Sequence, residues 1–300
     1  MVYDVIIIGL GASGVSAAIY AKRSGLNVCV INLSTPGGII SESSIVENYP
    51  GITSISGTDL AYQFFEHFNS LDVPLYNEEV IDIIDGDTKK VVTTNNSYEA
   101  KNVIICSGRK PKKLGLELEN RYIGNGISYC AVCDGNLYKN KITCVIGGGN
   151  SALESVLYLS NICEYVYLLV RKDKTVADES LVKEAKSKDN IKIMYETEIK
   201  KLIINDSKIV GVKTNKEDLK VDGIFVNIGY EPSIGILKSL NIEMDNNYII
   251  VDKNMETNIK GIFACGDIIK KDLYQLVTAV SDGAIAANYI SKKIRNGNKN

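Results

Sequence analysis

The fold turns on YDVIIIGLGASGVSAAIYAKRSGLNVCVINL, residues 3–33. YDVIIIG contains a continuous apolar run, as expected of a strand covered on both faces in a parallel sheet. Gly9, Gly11 and Gly14 follow with the spacing of a tight turn that opens a helix. VSAAIYAKRSG supplies that helix up to Gly25, and NVCVINL is a second strand. Strand, glycine turn, helix and strand form the βαβ unit of a dinucleotide-binding domain. The pattern returns in KITCVIGGGNSALESVLYLSNICEYVYLLVRKD, residues 141–173, with Gly147, Gly149 and Ala152. One such motif is a weak signal. Two, each between a strand and a helix, predict an α/β protein with two nucleotide-type domains.

The chain around these units reads as further short strands. KKVVTT and NVIICSG lie between them, and IKIMYET, EIKKLII, KIVGVKT and GIFVNIG follow the second. GIFACGD then leads into the Ala-rich helix VTAVSDGAIAANYISKKI, and the polar tail RNGNKN is expected to fray. Hydrophobic residues make up 45% and charged residues 23% of 300, the balance of a globular protein with room for two cores. A formal net charge of −2 with no block of one sign gives nucleic acid or a membrane surface no electrostatic hold. No apolar run approaches the ~20 residues of a membrane span. MVYDVIIIGLGASG lacks the basic region of a signal peptide, so a cytoplasmic protein is expected.

Seven cysteines, Cys29, Cys106, Cys130, Cys133, Cys144, Cys163 and Cys265, do not make a secreted disulfide framework. Five sit in apolar stretches and are expected to be buried. Cys130 and Cys133, in GISYCAVCDG at 126–135, differ in having a C-x-x-C spacing. Such a pair is half a zinc site, a redox dithiol or an accident. A structural zinc takes four ligands, and the chain has one histidine, His67, which is expected on an amphipathic helix, and no second C-x-x-C. The dithiol reading is the stronger, with no metal. Asp134 directly after the pair can move protons, cap the following DGN turn, or do both.

The first glycine turn allows close approach of a pyrophosphate to the free N–H groups of a helix start. The acid that would hold a ribose is replaced there by Asn32. Asp267, at the end of GIFACGD, reads either as an N-cap or as a partner for a flavin's ribityl hydroxyl.

Together the motifs resemble the low-molecular-weight thioredoxin reductases among the flavin-dependent disulfide reductases. GLGASG (9–14), PGG (36–38), VENYPG (46–51), GISYCAVCDG (126–135), GGGNSA (147–152), FVNIGYEP (225–232) and GIFACGDI (261–268) follow that family's order over essentially the whole chain. The resemblance implies two Rossmann-like, three-layer ββα domains, the second inserted in the first. An FAD-binding domain would comprise 1–112 and 241–300, and a central NAD(P)H-binding-like domain 113–240. Gly9, Gly11, Gly14, Gly38, Asn48, Asp267 and Gln275 would contact FAD. Cys133 would face the flavin, Cys130 would attack a thioredoxin disulfide, and Asp134 would transfer the proton. A homodimer and domain rotation about 108–117 and 229–242 are also implied.

The sequence departs from the family where NADPH would bind. The pattern H-R-R-x-x-x-R is reduced to Val170, Arg171, Lys172 and Val176, and an Arg-Gln pair becomes Tyr274-Gln275. Gly147 and Gly149 remain, but they also serve close helix–strand packing without a ligand. The expectation is therefore a thioredoxin-disulfide reductase fed by reduced ferredoxin, which similar proteins of anaerobes use. The alternatives are NADPH bound through Arg171 and Lys172, and a flavin-binding redox sensor without turnover.

Overall fold

The computed structural model describes residues 1–33, 36–43 and 45–297. The last three residues of the RNGNKN tail lie outside the described residues. The chain forms two compact units, Met1–Lys110 with Glu231–Asn300, and Pro111–Tyr230.

The first unit begins with β1 (Val2–Ile8), α1 (Ala12–Arg23) and β2 (Val28–Ile31). Then come α2 (Gly57–Asn69), β3 (Leu75–Tyr76), β4 (Val80–Ile84), β5 (Lys89–Thr93) and β6 (Ser97–Ile105). β7 (Arg109–Pro111) carries the chain out. Gly25, at φ +77°, ends α1 behind Lys22 and Arg23, which face the negative end of the helix dipole.

The second unit holds α3 (Glu119–Tyr122), β8 (Ile127–Ser128), α4 (Ala131–Asp134), β9 (Ile142–Ile146) and α5 (Asn150–Ser160). It continues through β10 (Tyr165–Leu169), α6 (Glu179–Lys186), β11 (Ile191–Met194), β12 (Ile199–Asn205), β13 (Lys208–Thr214), β14 (Asp218–Lys220) and β15 (Gly223–Val226). β16 (Tyr230–Pro232) leads back. The first unit is completed by β17 (Met244–Asp245), β18 (Tyr248–Ile249), β19 (Ile262–Ala264) and α7 (Leu276–Gly297).

In the first unit the strand order is β3-β2-β1-β6-β5-β4, with β19 also on β6. The length of β6 explains the mixture. Its start pairs antiparallel with β5, and Val103–Ile105 pair parallel with Ile262–Ala264 of β19. β1 alternates accordingly. Val5 and Ile7 pack under Ala17, Ala18 and Ala21 of α1 and Ala286, Ala287 and Ile290 of α7. Ile6 and Ile8 face Val80, Ile83 and Val91 from β4 and β5. Each such side chain, fully withdrawn from water, contributes roughly 1.5–3 kcal/mol.

The second unit repeats this plan with a five-stranded parallel sheet, order β11-β10-β9-β15-β8. Val145 and Leu168 meet Ala152, Leu153 and Val156 of α5 on one face. Cys144, Ile146, Ile224 and Val226 meet Leu202, Val212 and Leu219 of the antiparallel β12-β13-β14 sheet on the other. Helices, parallel sheet and antiparallel sheet make the three layers.

One boundary differs from the expected 113–240 segment. Residues 231–240 group with the first unit, because Leu237 and Leu240, followed by Ile242, are buried in its core beside Ile6 and Ile8.

Candidate active site

The dithiol sits on a single turn of helix in the second unit. Cys130 is the N-cap of α4, and Cys133 lies one turn on, so C-x-x-C brings the two sulfurs to the same side. They form a disulfide with Cα atoms 5.3 Å apart. Cys133 N donates to Cys130 Sγ at 3.1 Å, and Cys130 N donates to Ser128 Oγ at 3.0 Å. Cys130 is half-buried and Cys133 exposed. Asp134 closes the same turn, and its side chain makes no capping bond to the turn Gly135–Tyr138. Tyr138 stands close enough to feel it: burial first, then the charge of Asp134, raises the phenol.

The other five cysteines are free and buried. Desolvation pushes the Cys29 thiol up to about 12 and raises Cys144, Cys163 and Cys265, so none of these four is a nucleophile near neutral pH. His67 is exposed on α2. Among the described residues no group of His, Cys, Asp or Glu is placed to hold a metal ion. No helix among them is long and apolar enough to cross a membrane.

In the first unit Gly9, Gly11 and Gly14 follow the carboxyl end of β1, and Asp267 follows that of β19. A Cβ on Gly9 (φ +99°) would lie 2.4 Å from Cys106 O, and one on Gly14 would lie 2.0 Å from Gly9 O. These two glycines are demanded by the protein itself. Gly11 is different, since its nearest neighbour would be 3.9 Å away. It is the N-cap of α1, with no side-chain cap and no acid in the first turn, so the helix start can receive an anion. Gly37 N donates to Leu10 O at 2.8 Å, which brings Gly38 alongside Gly11. Asn48 Nδ2 donates to Gln275 Oε1 at 3.0 Å, joining two motifs far apart in the chain. Asn32 Oδ1 accepts from Leu10 N at 3.1 Å and so holds the turn from within.

Asp267 is paired with Arg109 Nε at 2.9 Å, a partner the motifs do not name. The only sequence signal for Arg109 is a cation just beyond the end of β6. Its guanidinium also lies 5.3 Å from the centre of the Tyr274 ring, with Lys271 Nζ at 5.8 Å. The positive charge absent at position 274 is thus supplied beside it.

The second glycine turn borders a cleft of about 700 Å³ within the second unit. A Cβ on Gly147 would lie 2.3 Å from Asn227 O, whereas one on Gly149, the uncapped N-cap of α5, would meet nothing within 4 Å. Arg171 and Lys172 also line this cleft, joined by Lys174 and by Glu198, which no motif marks. Asn227 Oδ1, in the cleft wall, is buried and has no hydrogen-bond partner. A space of this volume, with an open glycine, exposed cations and an orphaned acceptor, fits a nucleotide.

Residues 3–283 match the family described as pyridine nucleotide-disulphide oxidoreductase. A thioredoxin reductase of Ureaplasma parvum is 41% identical, covering 99% of this chain and 98% of its own. A thioredoxin reductase crystal structure from Lactococcus lactis is 36% identical, covers 98% and 99% of the two chains, and superposes with a TM-score of 0.89. A ferredoxin-flavin thioredoxin reductase structure from Clostridium acetobutylicum is 29% identical over 98% of both chains, with a TM-score of 0.55. The chain belongs to the pyridine nucleotide-disulphide oxidoreductase family.

Proposed function

We propose that this protein is a flavin-dependent thioredoxin-disulfide reductase whose electron donor is NADPH. The observation that carries the reading is the Cys130–Cys133 disulfide on one helical turn, in a chain that also keeps an open cleft at its second glycine turn. Bound FAD would supply the two-electron relay between nucleotide and disulfide. Gly11 and the α1 start would receive its pyrophosphate, Gly38, Asn48 and Gln275 would line its path, and Asp267, held by Arg109, would accept from its ribityl chain.

Reduction of the disulfide takes two electrons and two protons and leaves two thiols. Asp134, on the same turn, is the proton-transfer group. Cys130 as thiolate then attacks a thioredoxin sulfur and expels the other as thiolate. Cys133 attacks Cys130 Sγ, which releases reduced thioredoxin and restores the disulfide.

The ferredoxin expectation rested on the lost basic positions. Arg171, Lys172 and Lys174 still ring the cleft, and Gly149 is open although no neighbour requires it to be glycine. Both features support a pyridine nucleotide over a protein donor.

The test is anaerobic. NADPH should bleach the flavin band, and thioredoxin thiols should accumulate catalytically. Failure of NADPH, with turnover on reduced ferredoxin, would reverse the assignment of donor. Cys133→Ser should release thionitrobenzoate from a thioredoxin activated as that mixed disulfide, and Cys130→Ser should not. The opposite pattern would exchange the roles of the two sulfurs.

A further inference from the structure

The rim of the nucleotide cleft carries a charge that the glycine and arginine motifs leave unexplained. β10 and β11 are neighbouring parallel strands, so the segments after them leave the sheet together. They remain joined, with Val170 N donating to Met194 O (2.9 Å), Glu196 N to Lys172 O (3.0 Å) and Thr197 N to Val170 O (3.0 Å). Glu198 is thereby placed on the same rim as Arg171, and both line the cleft. Asn215 Oδ1 holds the Glu198 N–H at 2.8 Å, and the carboxylate accepts from Lys200 Nζ at 2.7 Å. The hydrogen bond and charge of Lys200 hold this carboxyl below the usual range, and Arg171 lowers it further, so it is ionised at neutral pH.

A strand-end cation receives the 2′-phosphate of NADPH, and a strand-end carboxylate accepts from the 2′-hydroxyl of NADH. This rim has both. We propose that Glu198 is a specificity-determining residue that shares Arg171 with the incoming 2′-phosphate and so narrows the preference for NADPH, leaving NADH an effective second donor. This rests on the cleft being the pyridine-nucleotide site. Lys200 moderates the effect by drawing the carboxylate away from Arg171.

The test is calorimetric titration of the intact flavoprotein with 2′-phospho-ADP-ribose and with ADP-ribose. Glu198→Gln should raise the ratio of the two affinities about fivefold, the scale of one partly exposed ion pair. Lys200→Met should lower it, and both effects should shrink at high salt. Arg171→Ala should reduce the ratio and remove the effect of Glu198→Gln in the double variant. Steady-state rates with NADPH and NADH should follow in KM, with kcat unchanged. If both fragments bind and Glu198→Gln leaves their ratio unchanged, the inference is overturned while the cleft remains a nucleotide site. If neither fragment binds at millimolar concentration, both readings fall.

Discussion

The glycine turns after β1 and after β9 share their first two glycines, and the third position separates them. In the first unit a Cβ at Gly14 would lie 2.0 Å from Gly9 O, and one at Gly283 of α7 would lie 2.1 Å from Ser13 O. The start of α1 is therefore approached closely from two sides. In the second unit the corresponding residue is Ala152, whose Cβ is accommodated and fully buried. The ends of the following strands differ as well. Asn32 is turned inward onto Leu10 N, whereas Arg171 and Lys172 stand exposed at a cleft. One motif has thus been built twice, once as a closed turn and once as an open one. The difference fits a cofactor retained through many cycles and a donor exchanged in each.

The largest effect should come from removing that asymmetry. Gly14→Ala should cost about 3 kcal/mol and release the flavin, because its Cβ would strike the backbone of the turn at Gly9. Ala152→Gly should cost about 1–2 kcal/mol, through helix propensity and the loss of one buried methyl, with the flavin retained. Thermal unfolding and retained flavin absorbance measure both. Equal losses would mean that the two turns are alike.

The middle glycines sharpen the comparison further. Gly11→Ala and Gly149→Ala meet no protein atom closer than 3.9 Å, so each should change stability by no more than about 1 kcal/mol, the cost of alanine at an N-cap. Their ligand effects should separate. The first should weaken flavin retention, and the second should raise the KM for NADPH with the flavin still bound. A Gly149→Ala protein with unchanged KM would leave the second turn without a ligand.

Acid should produce the smallest difference. Hydrogen bonds hold Asp4, Glu78, Asp82 and Asp85 of the first unit below the usual carboxylate range, and Glu198 alone among the described residues of the second. A carboxylate whose folded pKa is depressed adds stability above its unfolded value, near about 4. That contribution is lost as pH falls through the folded value. From pH 5 down to 3, hydrogen-exchange protection, corrected for the intrinsic rate at each pH, should therefore fall more in the first unit's β4–β5 hairpin than in the second unit's sheet. Parallel loss in the two would show that these bonds do not set the acid limit.

Much of this was legible in residue order. Strand, glycine turn and helix are local, so both βαβ units could be read directly, and the C-x-x-C spacing singled out Cys130 and Cys133 from the other cysteines. Features that depend on which strands become neighbours could not be read. Glu198 shares a cleft rim with Arg171 only because β11 lies beside β10, and Arg109 meets Asp267 only because β19 lies beside β6. The expected end of the second unit, residue 240, lies about ten residues beyond the observed one for a related reason. The apolar residues of IGILKSLNI suit either core, and nothing local says that Leu237 and Leu240 join Ile6 and Ile8.

The pairing of β6 with β19 also sets an order of events during synthesis. Val103–Ile105 must wait for Ile262–Ala264, and α1 must wait for α7. At a ribosome's pace that interval is on the order of ten to thirty seconds. Residues 111–230 emerge complete within it and can close their own core first. The newborn chain therefore carries a finished dithiol unit while one edge of β6 and the apolar face of α1 are still uncovered, and the interval ends only when the last helix arrives.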